Sequence, residues 1–322
     1  MLLLALFGVL IGVSNISVSQ VSNILGVYLF DLPINPDWTA SQQVIITQLR
    51  LPRIVLAMLT GAGLAVAGAA LQAATRNPLT DPFLLGVSSG ASAGAVLVIS
   101  HIGLVIGAYT MPVFSFIGGL FSFSLLMIMI QKPRNQSPER MVLAGVAISF
   151  LLMAATNGLI FLGDQRAAQS IVFWMLGGLG RARWDLLGIP SIIIISAILG
   201  LCWQARNLNA LMMGQESAAA LGISVNRART TTLLLATLAT SVIVSMTGTI
   251  GFVGLVVPHI TRAFTGGDNR YLLPVCALVG AVFMLLVDIL ARLLLAPQEL
   301  PIGLITGAIG GSYFCYLLMK HD

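Results

Sequence analysis

The chain has 322 residues, of which 57% are hydrophobic and 8% are charged, and its formal net charge is +5. Soluble domains carry about 25% charged residues, so this composition excludes a water-soluble globular protein. It predicts one lipid-embedded domain that covers residues 1–322. The basic residues fall in short connections between apolar segments, which bears on membrane topology and gives no sign of a nucleic-acid partner.

Ten apolar segments follow one another along the chain, bounded by proline, glycine and charged residues. A chain in lipid must satisfy its backbone hydrogen bonds internally, and the alternation typical of outer-membrane strands is absent. All ten segments are therefore predicted to be transmembrane helices in an all-α integral membrane protein. They cover residues 2–20, 53–74, 83–100, 111–130, 141–162, 186–204, 230–247, 249–264, 271–295 and 301–319.

The first segment opens with "MLLLALFGVLIGVSN", which lacks the basic stretch and the cleavage site of a secretory signal peptide. As a helix, residues 2–13 would be about 18 Å long. That is too short for a hydrocarbon core of roughly 30 Å. Either the helix continues through the serine and asparagine residues that follow, or some residues precede the given start.

Ten spans place both termini on one side of the membrane, and the distribution of basic residues identifies that side. With cytoplasmic termini, the inner connections hold ten basic residues and the outer connections hold six. The inner residues are Arg76, Lys132, Arg134, Arg140, Arg206, Arg227, Arg229, Arg262, Arg270 and Lys320; the outer residues are Arg50, Arg53, Arg166, Arg181, Arg183 and Arg292. The excess predicts that both termini are cytoplasmic.

Glycines recur at helical spacing in two of the predicted spans. The two tandem G-x-x-x-G patterns are Gly86, Gly90 and Gly94, and Gly303, Gly307 and Gly311. Helices in lipid associate through close backbone approach, so both glycine faces are predicted to pack against other helices. No repeat is visible in residue identity, although spans 2–5 and 7–10 would form inverted halves, because an offset of five spans reverses direction.

The chain lacks the motifs that would energise transport by itself. It contains no G-x-x-x-x-G-K-[ST] phosphate-binding loop, no H-E-x-x-H and no metal-spaced cluster of histidines and cysteines. We therefore expect no enzyme, cofactor or metal site in this chain. Asp288 is the one carboxylate placed within a span, and it is predicted to pair with Arg292 one turn later. A proton relay through Asp288 is the alternative.

Four stretches of the sequence indicate a particular protein family more specifically than the overall composition does. They are "LRLPRIVLAMLTGAGLAVAGAALQAATRNPLTDPFLLGVSSGASAG" at 49–94, "RMVLAGVAISF" at 140–150, "LNALMMGQESAAALGISV" at 208–225, and "GFVGLVVPHITRAFTGGDNRYLLP" at 251–274 followed by "ELPIGLITGAIGGSYFCYLL" at 299–318. Together and in this order they resemble the FecCD family, the membrane permeases of ATP-driven importers for iron–siderophore chelates, haem and vitamin B12.

The resemblance implies a ten-helix subunit with the fold of a type II ABC importer permease, paired with a second permease that is identical or homologous. It also implies two cytoplasmic ATPase subunits, which would hold ATP and Mg²⁺, and a periplasmic substrate-binding protein. The expected function is import of a ferric siderophore across the inner membrane of a Gram-negative cell by alternating access. Haem and vitamin B12 remain alternative cargoes.

The third stretch is amphipathic and lies between two apolar segments. Residues 208–213 and 215–221 are each predicted to form a short helix that ends at a glycine. The resemblance implies that this pair fits a groove of the ATPase, with Glu216 as the charged contact and small side chains at Ala218, Ala219 and Ala220. The implied coupling residues are Leu208, Gly214, Glu216, Ala219, Leu221 and Gly222. An amphipathic helix on lipid headgroups is the alternative.

Three arginines are predicted at the outer surface. Arg50 and Arg53 are three residues apart at the start of the second span, and Arg292 ends the ninth. The resemblance implies that these arginines hold acidic residues of the binding protein, and guanidinium groups suit carboxylate recognition. The alternative is that they anchor the helices at the lipid interface.

Two short turns are predicted at the inner mouth of the route. "RNPLTDP" contains Asn77 and Leu79, and "SPER" contains Pro138 and Glu139. The resemblance implies that these four residues form the translocation gate, although Glu139 is larger and more charged than the small hydroxyl residues of the family pattern. The alternative is an ordinary loop with a glutamate at a helix start.

Overall fold

The computed structural model describes residues 2–12, 16–130 and 138–320 of the chain, and these residues contain helices and turns but no strand. The α-helices are α1 (Leu2–Leu10), α2 (Val18–Phe30), α3 (Ala40–Val44), α4 (Leu51–Thr75), α5 (Val87–Leu97), α6 (Thr110–Ile130), α7 (Pro138–Leu162), α8 (Ala168–Met175), α9 (Trp184–Trp203), α10 (Ala205–Met212), α11 (Gln215–Ala220), α12 (Val225–Thr247), α13 (Val253–Thr265), α14 (Asn269–Leu293) and α15 (Ile302–Lys320). The all-α prediction is confirmed for the described residues.

Six helical stretches of the described residues are long and apolar enough to cross a membrane. They are Ala40–Thr75, Gly107–Ile130, Glu139–Leu162, Trp184–Trp203, Val225–Thr247 and Asn269–Leu293. Val18–Phe30, Val87–Ile102 and Ile302–Tyr316 are apolar but shorter. The predicted count of ten spans is therefore not confirmed by length and composition.

The first predicted span is not one helix. Helix α1 ends at Leu10, and α2 begins after Ser17, where Ser17 Oγ accepts from the Gln20 amide and the Ser17 amide donates to Gln20 Oε1, both at 3.2 Å. This reciprocal pair is a capping box, which starts a new helix. The polar residues after the first apolar run thus begin a second helix instead of extending the first.

Helix α4 lies at the centre of the bundle. The π-helical turn Ile45–Arg50 joins it to α3, and α4 packs against α14, α12, α13 and α9. Its inward positions are small, so neighbouring backbones come close. A Cβ atom on Gly61 would collide with the carbonyl oxygen of Gly280 in α14, and one on Gly68 would collide with the backbone of Gly254 in α13. The glycines therefore set the distance between these helices.

The two tandem glycine patterns have different outcomes. Gly90 and Gly94 of α5 lie against the backbone of α6, so packing of that face is confirmed. Gly303 lies against backbone oxygens of Leu176 and Thr249, but Gly307 and Gly311 have no atom within 4 Å of an added Cβ. Within the described residues only Gly303 of this second face meets other backbone, and the packing of Gly307 and Gly311 against other helices stays a prediction.

Replacing Gly61 by alanine is expected to destabilise the permease by about 1–3 kcal/mol, because the new Cβ meets a backbone carbonyl that no side-chain rotation can move away. Gly188→Ala in α9 is the matched control, since nothing lies within 4 Å of its added Cβ. Thermal unfolding of the purified permease measures both. An equal melting temperature for the two variants would contradict the close approach of α4 and α14.

The helix contacts recur in matched pairs. The contact between α4 and α14 corresponds to the contact between α12 and α6. The contact between α5 and α6 corresponds to the contact between α13 and α14. The pairs α5–α7 and α13–α15, α6–α7 and α14–α15, and α5–α12 and α13–α4 correspond in the same way. In each of these five pairs of contacts, every helix of one contact is exchanged for the helix that lies five predicted spans away, α4 for α12, α5 for α13, α6 for α14 and α7 for α15.

Candidate functional site

Helices α10 and α11 form the segment between α9 and α12. Helix α10 packs on α4, α9, α12 and α14, and it buries Ala205, Leu208, Ala210 and Leu211. Gly214, with φ +115°, separates the two helices, and Gly222, with φ +77°, follows α11. Glycine adopts such backbone angles without steric cost, so the prediction of two short helices that end at glycines is confirmed. We call residues 208–222 the coupling segment.

The surface of the coupling segment differs in part from the prediction. Leu208 and Ala218 are fully buried, so Leu208 supports α10 from inside and Ala218 is not one of the small surface side chains. Glu216, Ala219, Ala220, Leu221 and Gly222 are exposed. The exposed surface of the segment is therefore nearly uncharged: Glu216 is its one carboxylate, and Met212, Met213 and Leu221 are its large apolar side chains.

A hydrogen-bonded cluster ties α10 to the start of α14. Asn209 Nδ2 donates to Asp268 Oδ1 at 2.7 Å, while Asn209 Oδ1 accepts from the Asn269 amide at 2.9 Å and from Asn269 Nδ2 at 2.8 Å. Asn269 is fully buried and its Nδ2 also points to Met212 Sδ at 3.3 Å. We call Asn209, Asp268 and Asn269 the asparagine clasp.

Asp268 also caps α14. Its carboxylate accepts from the Arg270 amide at 3.0 Å, and the Arg270 guanidinium donates to it at 2.6 Å through Nη2. Hydrogen bonds from Arg270, and then the one from Asn209, hold the pKa of Asp268 below its usual value. The carboxylate is therefore ionised and serves the asparagine clasp only as an acceptor.

An ion-pair network joins α4 and α14 at the opposite end of α14. Arg53 Nε donates to Asp288 Oδ1 at 2.8 Å, and Arg53 Nη1 donates to both oxygens of Glu299 at 2.8 Å. Arg292 Nη2 lies 2.9 Å from Asp288 Oδ2, so the predicted Asp288–Arg292 pair is present. Asp288 is fully buried, and Glu299 closes the network on the exposed side.

The same network receives the end of α1. Arg50 Nη1 donates to the Val9 carbonyl at 2.7 Å, and Arg292 Nη1 donates to the carbonyls of Gly8 at 3.0 Å and Ile11 at 2.6 Å. The last carbonyls of a helix lack internal partners, and a cation satisfies them. Arg50 and Arg292 are each only 6% exposed, so both lie mostly inside the protein.

These arginines line a cavity of about 540 Å³ at what we call the outer end of the molecule. Leu179, Gly180 and Ala182, which precede α9, lie on its rim together with Glu299. The structure therefore brings the three predicted docking arginines together, but it engages each of them with other groups of the chain. Sequence reasoning missed Glu299, which has no special spacing in "QEL".

Two of the four predicted gate residues share a cavity with Arg76, which reaches the coupling segment. Asn77 and Glu139 line one cavity of about 500 Å³ together with Arg76, and an Arg76 Nη1 atom lies 3.8 Å from the position of a Cβ on Gly214. The Leu79 amide donates to Asn77 Oδ1 at 3.0 Å, and Leu79 itself is exposed and does not line this cavity. Pro138 begins α7, and its side chain lies outside the described residues.

An uncharged chamber of about 400 Å³ is lined by residues of α5, α7 and α15 and of the segments that precede α5, α9 and α13. It is lined by Phe83, Ser88, Ser89, Ser92, Met153, Thr156, Asn157, Met175, Leu176, Thr249, Gly251, Phe252, Gly303, Leu304 and Gly307. None of these residues is charged, and Ser88 Oγ is buried without a hydrogen-bond partner in the structure. The lining is therefore uncharged, with serine, threonine and asparagine side chains among its apolar ones.

Metal binding finds no support in the part of the chain that the structure describes. No group of three or more histidine, cysteine, aspartate or glutamate residues is placed there to hold an ion. Cys202, Cys276 and Cys315 are free thiols. The expectation of no metal site in this chain remains a prediction.

Comparison with known proteins identifies relatives over nearly the whole chain. The model of the FecCD transport family matches residues 1–320. The hemin transport system permease protein HmuU of Yersinia pestis is 42% identical over 277 residues, which are 85% of this chain and 82% of that protein. The vitamin B12 import system permease protein BtuC of Salmonella choleraesuis is 37% identical over 289 residues, which are 88% of this chain and 86% of that protein.

Solved structures agree with these relatives. One described as an inward-facing metal-chelate type ABC transporter has a TM-score of 0.85 and 31% identity, and the match covers 99% of this chain and 96% of that one. PsaBC from Streptococcus pneumoniae, at a TM-score of 0.57 and 15% identity over 83% of this chain and 90% of that one, shares the fold.

Proposed function

Because the chain belongs to the FecCD transport family, we propose that it is the permease subunit of an ATP-driven importer that moves ferric-siderophore chelates across the bacterial inner membrane by alternating access. The chain performs no covalent chemistry. Two cytoplasmic ATPase subunits bind ATP and Mg²⁺, a periplasmic binding protein delivers the chelate, and both termini are cytoplasmic.

The coupling segment carries this proposal. It is a compact helix pair that presents Glu216, Ala219 and Leu221 on its surface, and it is fastened to a transmembrane helix by the asparagine clasp. An amphipathic helix on lipid headgroups would expose a stripe of large apolar and basic side chains. The exposed residues of α11 are small or polar, which favours a close-fitting protein partner.

A second permease covers the face that this chain leaves open. No atom lies within 4 Å of a Cβ added at Gly307 or Gly311 of α15, and Gly307 lines the uncharged chamber. Two chains that meet there would enclose an uncharged route with hydroxyl and amide groups among its apolar side chains. The matched helix contacts support ten spans arranged as two inverted halves in a single permease domain, with the short α13 and the α1–α2 pair counted as spans.

The chamber lining supports a permease that does not itself select its cargo. It carries no charge and no histidine, so it offers hydrogen bonds without fixing one ligand, and the binding protein selects the chelate. Haem and vitamin B12 are the second candidates, because relatives 42% and 37% identical to this chain are named as hemin and vitamin B12 permeases.

Reconstitution of the full complex in proteoliposomes tests the function. With its ATPases and binding protein present, we expect uptake of a ⁵⁵Fe-loaded siderophore that requires ATP and stops with a non-hydrolysable analogue. Haem and cobalamin, supplied with their own binding proteins, are the competing cargoes. Faster uptake of either would reassign the substrate. Uptake that persists without ATP and follows a proton gradient would instead identify a secondary transporter.

Docking of the binding protein at the outer end is proposed through Arg53, with Arg50 and Arg292 behind it. Glu299 already occupies the Arg53 guanidinium with both carboxylate oxygens, so an incoming carboxylate must compete with it. Glu299→Gln is expected to tighten docking about three- to tenfold by removing this competitor. Surface plasmon resonance with immobilised complex measures the affinity.

Asp185→Asn is the matched control for this test. Asp185 is another outer carboxylate in an arginine pair, 3.1 Å from Arg183, and it does not line the outer cavity. Its substitution is expected to leave docking unchanged. If Glu299→Gln binds the binding protein more weakly than the wild type does, Glu299 itself is the contact. The proposed docking role of Arg53 is then rejected.

A further inference from the structure

The asparagine clasp uses both the carbonyl oxygen and the amide nitrogen of the Asn209 side chain. The carbonyl oxygen receives two N–H groups of Asn269, and the amide nitrogen donates to the ionised carboxylate of Asp268. A side chain with both a donor and a strong acceptor is required at this position. Aspartate would keep the acceptor, but it would set a second carboxylate against Asp268.

The asparagine clasp lies at one end of the long helix α14. From Asn269 to Arg292, α14 is about 35 Å long at 1.5 Å per residue. Along this length Gly280 lies against Gly61 of α4, and at the far end Asp288 bonds Arg53 of α4. Helices α14 and α4 are thus fixed to each other at two heights, while α10 is fixed to the start of α14.

The covalent connections of α11 are less suited than the asparagine clasp to pass movement from the coupling segment to the transmembrane helices. Gly214 and Gly222 flank α11 in backbone conformations that only glycine adopts freely, so both joints are pliable. Helix α11 also packs directly against α10, so a push on α11 reaches α10 by contact and does not depend on the glycine joints. The hydrogen bonds of Asn209 give α10 a direct attachment to a transmembrane helix that does not pass through either glycine.

We propose that Asn209 is a positioning residue for transport, because it locks the coupling segment to α14 so that α10, α14 and α4 move as one body. This inference rests on the proposed function, since it takes the coupling segment as the part that receives the movement of the ATPases. It assigns the first step of transmission to a side-chain contact between α10 and α14.

The test exchanges donor and acceptor across the clasp. In the reconstituted complex, Asn209→Asp is expected to lower the cargo transported per ATP hydrolysed about tenfold, because the two carboxylates repel and α10 separates from α14. The double variant Asn209→Asp with Asp268→Asn restores a donor opposite an acceptor, and asparagine remains a good helix N-cap. It is expected to recover most of the wild-type ratio.

Asn207→Ala is the matched control on the same helix. Asn207 makes no side-chain hydrogen bond in the part of the chain that the structure describes, so its variant is expected to behave as the wild type. A purely structural role of Asn209 would lower the yield of assembled complex and leave the transport-to-hydrolysis ratio of the assembled fraction unchanged. The ratio therefore separates positioning from folding.

Two outcomes overturn the proposal. One is a wild-type ratio for assembled Asn209→Asp. The other is a double variant that fails to assemble or that stays uncoupled. If the single variant does not assemble, the double variant alone tests the proposal. Cross-linking of the coupling segment to the ATPases, measured on the wild type, tests the proposed function separately. If that cross-link forms while the exchange has no effect, only the role of Asn209 is rejected.

Discussion

Replacing Asp288 by alanine is expected to destabilise the folded permease by about 3–5 kcal/mol, because the change leaves two guanidinium groups without their shared buried carboxylate. Asp288 is fully buried, and its oxygens lie 2.8 Å from Arg53 Nε and 2.9 Å from Arg292 Nη2. Arg292 also holds the end of α1, so its displacement would loosen that helix too. Thermal unfolding of the purified permease in detergent measures the loss.

Glu299→Gln is the control for this prediction. Glu299 bonds the same Arg53, but its side chain is 46% exposed, and an exposed ion pair contributes about 1 kcal/mol or less. We expect a small shift in melting temperature for Glu299→Gln and a large one for Asp288→Ala. Equal shifts would contradict the view that the buried carboxylate organises the outer end.

Replacing residues 215–221 by a flexible glycine–serine linker of equal length is expected to reduce ATP-driven uptake at least about 100-fold, because the surface that the ATPases grip is lost. A coupling free energy of about 3 kcal/mol corresponds to a factor of this size. Folding should be nearly unaffected, since Ala218 is the one buried residue of α11. Uptake into proteoliposomes and thermal unfolding measure the two effects.

Ala108→Ser is the control for the linker variant. Ala108 is also an exposed alanine, but it lies between α5 and α6, outside the coupling segment, so uptake should stay within about twofold of the wild type. Normal uptake by the linker variant, in complexes that still contain both ATPases, would reject the role of the coupling segment.

The sequence predicts the helical class and most helix positions well, because hydrophobicity and helix-ending glycines act locally. Gly214 and Gly222 end short helices as predicted, and the Asp288–Arg292 pair follows from one helical turn. Helix ends inside apolar runs are harder to predict. The break between α1 and α2 depends on one capping box at Ser17, and α13 begins late because Phe252 adopts φ +68°.

Contacts between distant segments could not be predicted from one sequence. Asn209 and Asp268 are 59 residues apart, and Arg53 and Glu299 are 246 residues apart. Nothing in their local sequence marks them as partners. The glycines of α15 show the same limit: Gly310, outside the tandem pattern, lies against the Phe252 side chain, while Gly307 and Gly311 face open space. Helix rotation, which local spacing does not determine, decides which glycine packs.

If ATPase partners move this bundle through the coupling segment, that segment must lie against an ATPase during transport. A cysteine at Ala219, in a background without the three native cysteines, tests this contact by cross-linking in the assembled and transporting complex. We expect a cross-link to an ATPase subunit, with labelling of the unassembled permease from the cytoplasmic side. Reaction of this cysteine only with lipid-soluble reagents, and no cross-link to any protein, would exclude the ATPases as the source of the movement.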